Sequence, residues 1–141
     1  MKLLLIVTTA LVSSICLTFP VKAENPAHVR QLLETKQCQK CDLQGADLSG
    51  THLIGADLRD ANLEKANLAN ANLEGADLTG SNLKQATLLN TFASDASFNE
   101  ANLTGVNFSN AKLYNVDMAG AVVAGANFKG AKLYGADLSK Y

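Results

Sequence analysis

The chain has 141 residues, of which 48% are apolar and 6% aromatic, and it carries 12 Lys and Arg against 13 Asp and Glu. Its length fits one domain. Its positive and negative charges nearly balance, which argues against a strongly basic protein that binds nucleic acid or an acidic membrane. Because Ala and Leu supply most of the apolar content, the composition also argues against a globular core anchored by large aromatic side chains.

The first element in chain order is a secretory signal peptide, predicted over residues 1–23. Lys2 precedes an apolar stretch over residues 3–19, and Val21 and Ala23 stand at the small-residue positions of a cleavage site after Ala23. A stretch of this length is at the short limit for a membrane span, so we expect cleavage and no stable membrane anchor. The mature chain keeps 10 basic and 13 acidic residues and is mildly acidic.

Residues 24–40 are predicted to form an N-terminal cap that contains a short helix. Asn25 and Pro26 form a helix start signal, with Asn as the capping residue and Pro at the first helical position. Val29, Leu32 and Leu33 then make an apolar stripe that suits packing against the rest of the chain. The pattern predicts a helix from residue 26 to about residue 35.

Cys38 and Cys41 have the CxxC spacing of a metal half-site, a redox pair or a structural disulfide. A zinc site normally needs four ligands, and His28 and His52 are the sole histidines of the chain. A thioredoxin-type pair opens a helix, whereas this pair follows one. In an exported protein a disulfide that braces the cap is favoured, and we expect no metal and no cofactor.

From residue 41 to residue 140 the sequence divides into twenty consecutive pentapeptides without an insertion. The central residue is Leu in fourteen of them, and the residue two before it is Ala in fourteen. A step of five residues rotates by about 140° on a helix and reverses the face on a strand, so neither element keeps the Leu residues on one side. The pattern predicts a coil that turns once per repeat, with Ala and Leu pointing inward and with Gly, Asn or Asp suited to the turn.

The repeated A(D/N)LXX pattern, as at residues 46–50 and 76–80, resembles the pentapeptide repeat family. The resemblance implies an all-β solenoid: a right-handed, four-sided parallel β-helix of about five coils over residues 41–141, with a short N-terminal α-helical cap. The helical cap with its CxxC pair also resembles exported cyanobacterial members of the family. The expected core is a stack of Leu and Phe over Ala that includes Leu48, Leu58, Leu68, Leu78, Phe98, Phe108 and Phe128.

With four repeats in each coil, residues twenty apart stack in columns, and one side of the rod is expected to be acidic. Its stripe consists of Asp57, Asp77, Asp117, Asp137, Asp60 and Glu100. Such a stripe suits a basic partner or a weakly held cation such as calcium, which prefers oxygen ligands. The alternative is that Asp is simply the common residue at this position of the family, where it bonds nearby backbone.

The neighbouring side carries the candidate interaction residues. Lys112 and Lys132 fall in one column, Tyr114 and Tyr134 fall in the next, and Tyr141 is close in sequence to the same edge. Exposed aromatic residues are enriched in protein interfaces. The alternative is that stacked Tyr residues are ordinary surface decoration of a solenoid.

Two irregularities accompany this pattern. Ala93 stands where its column neighbours are Leu, so we expect a local distortion unless Phe92 or Phe98 fills the space. No cap is predicted at the C-terminal end of the rod, so we expect that end to fray or to meet a partner, including a second copy in a homodimer.

The function predicted from the sequence is a non-catalytic structural or protein-interaction module in an exported compartment, either the periplasm or, in a cyanobacterium, the thylakoid lumen. The chain has no phosphate loop and no nucleophile motif, so we do not expect an enzyme. Some pentapeptide repeat proteins resemble duplex DNA and bind DNA gyrase, which makes a DNA-mimic inhibitor of a topoisomerase the alternative. The signal peptide, the short rod and the modest charge argue against it, and we expect no nucleic-acid partner.

Overall fold

The computed structural model describes residues 24–136. The predicted signal peptide at residues 1–23 lies outside the described residues, and so do residues 137–141, which include Asp137 and Tyr141. The described part consists of a helix followed by a coil whose successive turns pair with each other.

The helix of the described part, α1, spans Pro26–Thr35, the range that the sequence predicts. Its first turn is capped by Asn25, whose side-chain oxygen accepts hydrogen bonds from two backbone N–H groups at 3.1 and 3.4 Å. The helix ends at Lys36, which has a left-handed backbone (φ 60°) and donates its N–H to the carbonyl of Leu32 at 2.9 Å.

After α1 the chain winds in coils of twenty residues. Single-residue parallel bridges join each outward residue to the residue twenty further along, from Gln37 with Asp57 to Lys112 with Lys132. No strand longer than one residue forms between residues 24 and 136, because each pentapeptide ends in a turn. Four pentapeptides close each coil, so the rod has four sides.

Backbone hydrogen bonds tie each pentapeptide to the coils on both sides. Leu63 donates its N–H to the carbonyl of Asn82 in the next coil at 2.7 Å, and Asn62 donates to the carbonyl of Cys41 in the previous coil at 2.8 Å. The same pair of bonds recurs along the rod. These bonds satisfy the backbone groups that a longer strand would place in a ladder.

The turn falls on the fifth residue of each repeat. Every residue whose number is divisible by five, from Lys40 to Gly135, has a positive φ, and all ten Gly residues of the chain occupy such positions. The N–H of the next residue bonds back to the central residue, as from Ala66 to Leu63 at 3.0 Å. This is the pattern of a type II turn, which requires a positive φ at its third residue. The period of five in the sequence is therefore a period of turns.

The interior is lined by the central residues and by those two positions before them. The predicted core residues that are fully buried are Leu48, Leu58, Leu68, Leu78, Phe98 and Phe108. Phe98 meets Phe108 edge to face, with ring centroids 5.9 Å apart, and Phe128 stacks on Phe108 at 5.0 Å. Phe128 is only partly buried, because it belongs to the last coil of the described part and its outer ring face meets no further coil there.

The pairing of the coils begins one pentapeptide earlier than the sequence pattern indicates. Gln37 bridges Asp57, Cys38 donates its N–H to the Asp57 carbonyl at 2.8 Å, and Lys40 makes the turn with φ 59°. Residues 36–40 therefore form a repeat within the segment assigned to the cap. The sequence pattern does not reveal this repeat because Lys36 and Cys38 occupy the positions that are mostly Ala and Leu in the other repeats.

The distortion expected at Ala93 is not found, and that expectation is wrong. Phe92 bridges both Asn72 and Lys112 in register, and Ala93 donates its N–H to the Lys112 carbonyl at 2.9 Å. Phe92 points outward and is 44% exposed, so it does not fill the interior. The inward Thr91, larger than the usual Ala, is buried beside Ala93 and makes up part of the volume that Ala93 lacks relative to Leu.

Candidate functional site

One side of the rod, called here the tyrosine face, is formed by two columns of outward residues. The first column consists of His52, Asn72, Phe92, Lys112 and Lys132, and the second consists of Ile54, Glu74, Ser94, Tyr114 and Tyr134. Residues of the first column precede the central residue of their repeat, and residues of the second follow it. The regular turns thus place ten side chains in five rungs of two.

The tyrosine face carries most of the large apolar and aromatic side chains that are exposed in residues 24–136. Four of the six lie on it, and the other two, Leu33 and Val122, lie on α1 and on another side of the rod. The exposed fractions of the four are 54% for Ile54, 44% for Phe92, 36% for Tyr114 and 83% for Tyr134. Exposed apolar side chains that gather on one side are a feature of many protein contact surfaces.

Lys112, Lys132, Tyr114 and Tyr134 of the predicted interaction residues lie on this side of the rod, whereas Tyr141 lies outside the described residues. Lys112 bridges Lys132, and Tyr114 and Tyr134 follow in the adjacent column. The Nζ atom of Lys112 lies over the ring of Phe92, 4.3 Å from its centroid, in a cation–π contact. The place of Phe92 directly before the central residue of its repeat is the sequence signal that marks this ring as outward.

The acidic side is partly neutralised near its N-terminal end. Asp57 and Asp77 stack in one column, and both lie near Arg59. The Nη2 atom of Arg59 is 2.6 Å from Oδ2 of Asp57, and its Nε atom is 3.7 Å from Oδ2 of Asp77. The hydrogen bond from Arg59 is the largest cause that lowers the pKa of Asp57. Two stacked carboxylates repel each other, and the guanidinium group of Arg59 offsets that repulsion between Asp57 and Asp77.

The remaining acidic residues are spread along the rod. Asp117 accepts a hydrogen bond from the side-chain amide of Asn99 at 2.8 Å, and Asp60 and Glu100 occupy turn positions with positive φ. Within residues 24–136, no group of three or more His, Cys, Asp or Glu side chains is arranged to hold a metal ion. In the described part, Asp57, Asp77 and Asp117 thus form a column and have polar partners. Asp60 and Glu100 stand at turns beside that column, and Asp137 lies outside the described part.

The two cysteines lie at the first corner of the rod. The sulfur atoms of Cys38 and Cys41 are 2.08 Å apart, which is a disulfide distance. Cys38 takes the central position of its repeat and Cys41 the inward position of the next, and their exposed fractions are 0% and 4%. The bridge therefore faces the interior, where it ties the first repeat to the second.

Helix α1 and the residue before its cap supply hydrogen-bond acceptors to the first coil. In later coils, the outward N–H group donates to a carbonyl of the coil before it. In the first coil, the N–H of Asp42 instead donates to Nδ1 of His28 at 2.9 Å, and that of Asp47 donates to Oε2 of Glu24 at 3.3 Å. Leu32 is fully buried against the same coil. No sequence signal marks His28 and Glu24 as acceptors, because both contacts are tertiary.

Side-chain amides form a further ladder on another side of the rod. Asn82 donates to Oδ1 of Asn62 at 3.2 Å, and Asn62 donates to Oδ1 of Asp42 at 3.1 Å. These groups satisfy one another.

Residues 24–136 enclose no pocket, and no helix in that part is both long and apolar enough to cross a bilayer.

The family model for pentapeptide repeats matches residues 41–80, 76–115 and 107–140, with eight copies. The chain belongs to the pentapeptide repeat family. Members of this family are right-handed quadrilateral β-helices, and the coil of twenty residues agrees with that architecture.

Several solved pentapeptide repeat structures are similar to this chain. A protein from the Arabidopsis thaliana thylakoid lumen is 30% identical, with a TM-score of 0.60, and the match covers 62% of this chain and 61% of that protein. A protein from Nostoc PCC 7120 is 28% identical over 77% of this chain and 74% of its own, with a TM-score of 0.45. QnrB1, a plasmid-mediated fluoroquinolone resistance protein, is 25% identical over 70% of this chain and 61% of its own, with a TM-score of 0.49.

This chain thus spans less than two thirds of the Arabidopsis protein that it matches. No curated protein sequence matches it.

Proposed function

We propose that this pentapeptide repeat protein is a non-catalytic module that binds another protein chain in an exported compartment, with the tyrosine face as its contact surface. The observation that carries the proposal is that four of the six large apolar or aromatic side chains exposed in residues 24–136 lie on that face. Burial of such side chains is favourable by about 25 cal/mol per Å² of apolar area. Tyr and other large aromatic residues also dominate the energetics of known interfaces.

The proposed architecture is a rod of about five coils over residues 41–141, extended by the repeat at residues 36–40 and closed at its N-terminal end by α1 and the residues before it. The buried side chain of Leu32 and the acceptors supplied by His28 and Glu24 support the capping role of this segment. The short distance between the sulfur atoms of Cys38 and Cys41 supports a disulfide that holds the cap to the rod.

Three observations support an exported location. Residues 1–23 have the pattern of a signal peptide, and a structural disulfide persists in an oxidising compartment. The similar Arabidopsis protein comes from the thylakoid lumen. We propose the periplasm or the thylakoid lumen as the compartment.

Affinity capture from the native compartment tests the proposed contact surface. Tagged mature protein is compared with a variant that changes Tyr114, Tyr134 and Tyr141 to Ser, and with a control that changes Lys84 and Val122 to Ser. The control residues are exposed on another side of the rod. We expect a binding partner to be retained by the control and lost by the tyrosine variant.

The captured partner is then purified and titrated against all three proteins, so that direct binding is measured. Equal binding by the tyrosine variant and the wild type would contradict the assignment of the contact surface. Absence of any binding partner, including a second copy, would contradict the interaction role itself.

A further inference from the structure

We propose that the tyrosine face pairs with the tyrosine face of a second copy, in an antiparallel dimer whose two-fold axis passes beside Phe92 and Ser94. The proposal rests on the function proposed above, because both use the same contact surface. It goes further by naming the partner, the relative orientation of the two rods and the residues that meet.

The regular columns make this face self-complementary in one register. Phe92 and Ser94 form the middle of five rungs, which are about 4.8 Å apart. A two-fold axis across the rod at that rung reverses the order of the rungs and keeps each column opposite itself. Phe92 then meets Phe92 of the second copy, and Ile54 meets Tyr134 of the second copy.

Apolar side chains become paired in this register. Ile54, Phe92 and Tyr134 occupy the first, third and fifth rungs and are the three most exposed large side chains of the face. Antiparallel pairing buries all three in both copies. Parallel pairing in register would instead place the first column of each copy against the second column of the other, so that Ile54 meets His52 rather than Tyr134. Lateral pairing thus covers the exposed apolar area at both ends and at the centre of the face.

Charges are also complementary in the antiparallel register. Glu74 lies in the second rung and Lys112 in the fourth, so the axis brings Glu74 of one copy to the same rung as Lys112 of the other. The two residues occupy adjacent columns, and the symmetry forms the ion pair twice. Within one chain they are two rungs apart, about 10 Å, which is too far for an ion pair.

The charge of the whole rod favours the same orientation. Residues 24–100 contain eleven acidic and six basic residues, whereas residues 101–136 contain one acidic and three basic residues. An antiparallel lateral pair places the acidic coils of each copy beside the basic coils of the other. A homodimer joined through the two C-terminal ends would instead bring two basic segments together.

The face is small for a protein interface. Five rungs span about 19 Å, and the extended part of each repeat spans about 10 Å, so the contact is smaller than that of stable specific complexes and suits a transient one. We therefore expect a weak dimer that forms at concentrations above about 10 µM.

Sedimentation equilibrium of the oxidised mature chain tests the proposal. The protein concentration is varied from about 1 to about 500 µM, the range in which a weak interface forms a dimer. The wild type is expected to pass from monomer to dimer. Phe92→Glu places two carboxylates against each other on the axis and is expected to weaken dimerisation by at least about tenfold. Lys84→Glu, on another side of the rod, is the matched control and is expected to change dimerisation by less than about twofold. Equal melting temperatures of the variants show that each remains folded.

A charge exchange tests the register. Glu74→Lys and Lys112→Glu are each expected to weaken the dimer about three- to tenfold, and the double exchange is expected to restore it within about twofold. A Cys introduced at Ser94 is expected to cross-link to its mate under mild oxidation, whereas a Cys at Ser49, on another side, is not. A double exchange no better than either single change would overturn the register.

The outcomes separate this proposal from the general interaction role. If the wild type stays monomeric at about 500 µM, the proposed dimer is overturned. Capture of a different protein would still support the proposed function. A dimer that is unchanged by Phe92→Glu and by the Glu74 and Lys112 exchanges also overturns the proposal, because it must use another contact such as the C-terminal end.

Discussion

The first coil and the last coil of the described rod have the same backbone, but the inward side chains are covered at the first coil and only partly covered at the last. At the N-terminal end, Leu32 and Cys38 are fully buried. His28 accepts a hydrogen bond from the N–H of Asp42, which has no carbonyl of an earlier coil to bond. In the last described coil, Phe128 and Leu133 occupy equivalent inward positions and are only partly buried. Burial of an inward residue therefore depends on the layers above and below it as well as on its place in the repeat.

The largest expected effect separates the middle of the rod from its last described coil. Leu78→Ala removes a fully buried side chain from between two coils and should lower the free energy of unfolding by about 3 kcal/mol. Leu133→Ala, at a partly buried position, should cost about 1 kcal/mol. Urea unfolding followed by circular dichroism measures both. Equal losses would show that the last coil is covered as completely as the middle.

The second effect concerns the bridge at the N-terminal end. Replacement of both Cys38 and Cys41 by Ala opens a loop of four residues, and the loop-entropy relation gives a loss of about 2 kcal/mol. The wild type should show the same loss after reduction, whereas reduction should leave the Ala variant unchanged. Both thiols should resist labelling until a reductant is added. Ready labelling without reductant would contradict the disulfide.

A smaller effect tests the acceptor that α1 gives to the first coil. His28→Ala leaves the N–H of Asp42 without its ring-nitrogen acceptor and should lower the free energy of unfolding by about 1 kcal/mol. Arg30→Ala, at an exposed position of the same helix, should have almost no effect. Hydrogen exchange at the amide of Asp42 should accelerate in the first variant alone. Unchanged exchange in His28→Ala would mean that this bond does not protect the coil.

The smallest effect concerns Asp57 and its pairing with Arg59. The hydrogen bond from Arg59 lowers the pKa of Asp57, so its stabilising contribution is complete above the usual carboxyl range and is lost as the pH falls below that range. Because the pair is exposed, Arg59→Gln should lower the melting temperature at pH 7 by about 1–2 °C. At pH 2.5, about a unit below the usual carboxyl range, the difference between the two melting temperatures should be smaller. A difference that is as large in acid as at pH 7 would exclude this ion pair as its cause.

The sequence predicts the coil closely because a single pattern determines it. The period of five places every turn, and the alternation of inward and outward residues is enough to put Lys112 and Tyr114 on one side of the rod. The first repeat escapes the pattern because Cys38 replaces Leu. The contacts of Glu24 and His28 with the first coil depend on how α1 folds back, which no local pattern encodes. The large side chain of Phe92 suggested that its ring could fill the space beside Ala93. The ring points outward instead, because Phe92 stands directly before the central residue of its repeat.

The coil of twenty residues has a consequence for how such a rod can change in length. An insertion of twenty residues adds one layer and leaves every later side chain on its original face, since each coil closes after four pentapeptides. An insertion of five residues keeps the backbone bonds possible but shifts every later residue by a quarter turn. Lys112, Tyr114 and Tyr134 would then leave the side that holds Ile54 and join another. The columns of this protein thus stay aligned only if repeats are gained or lost in multiples of four. A single added repeat moves the later half of such a surface to another side of the rod.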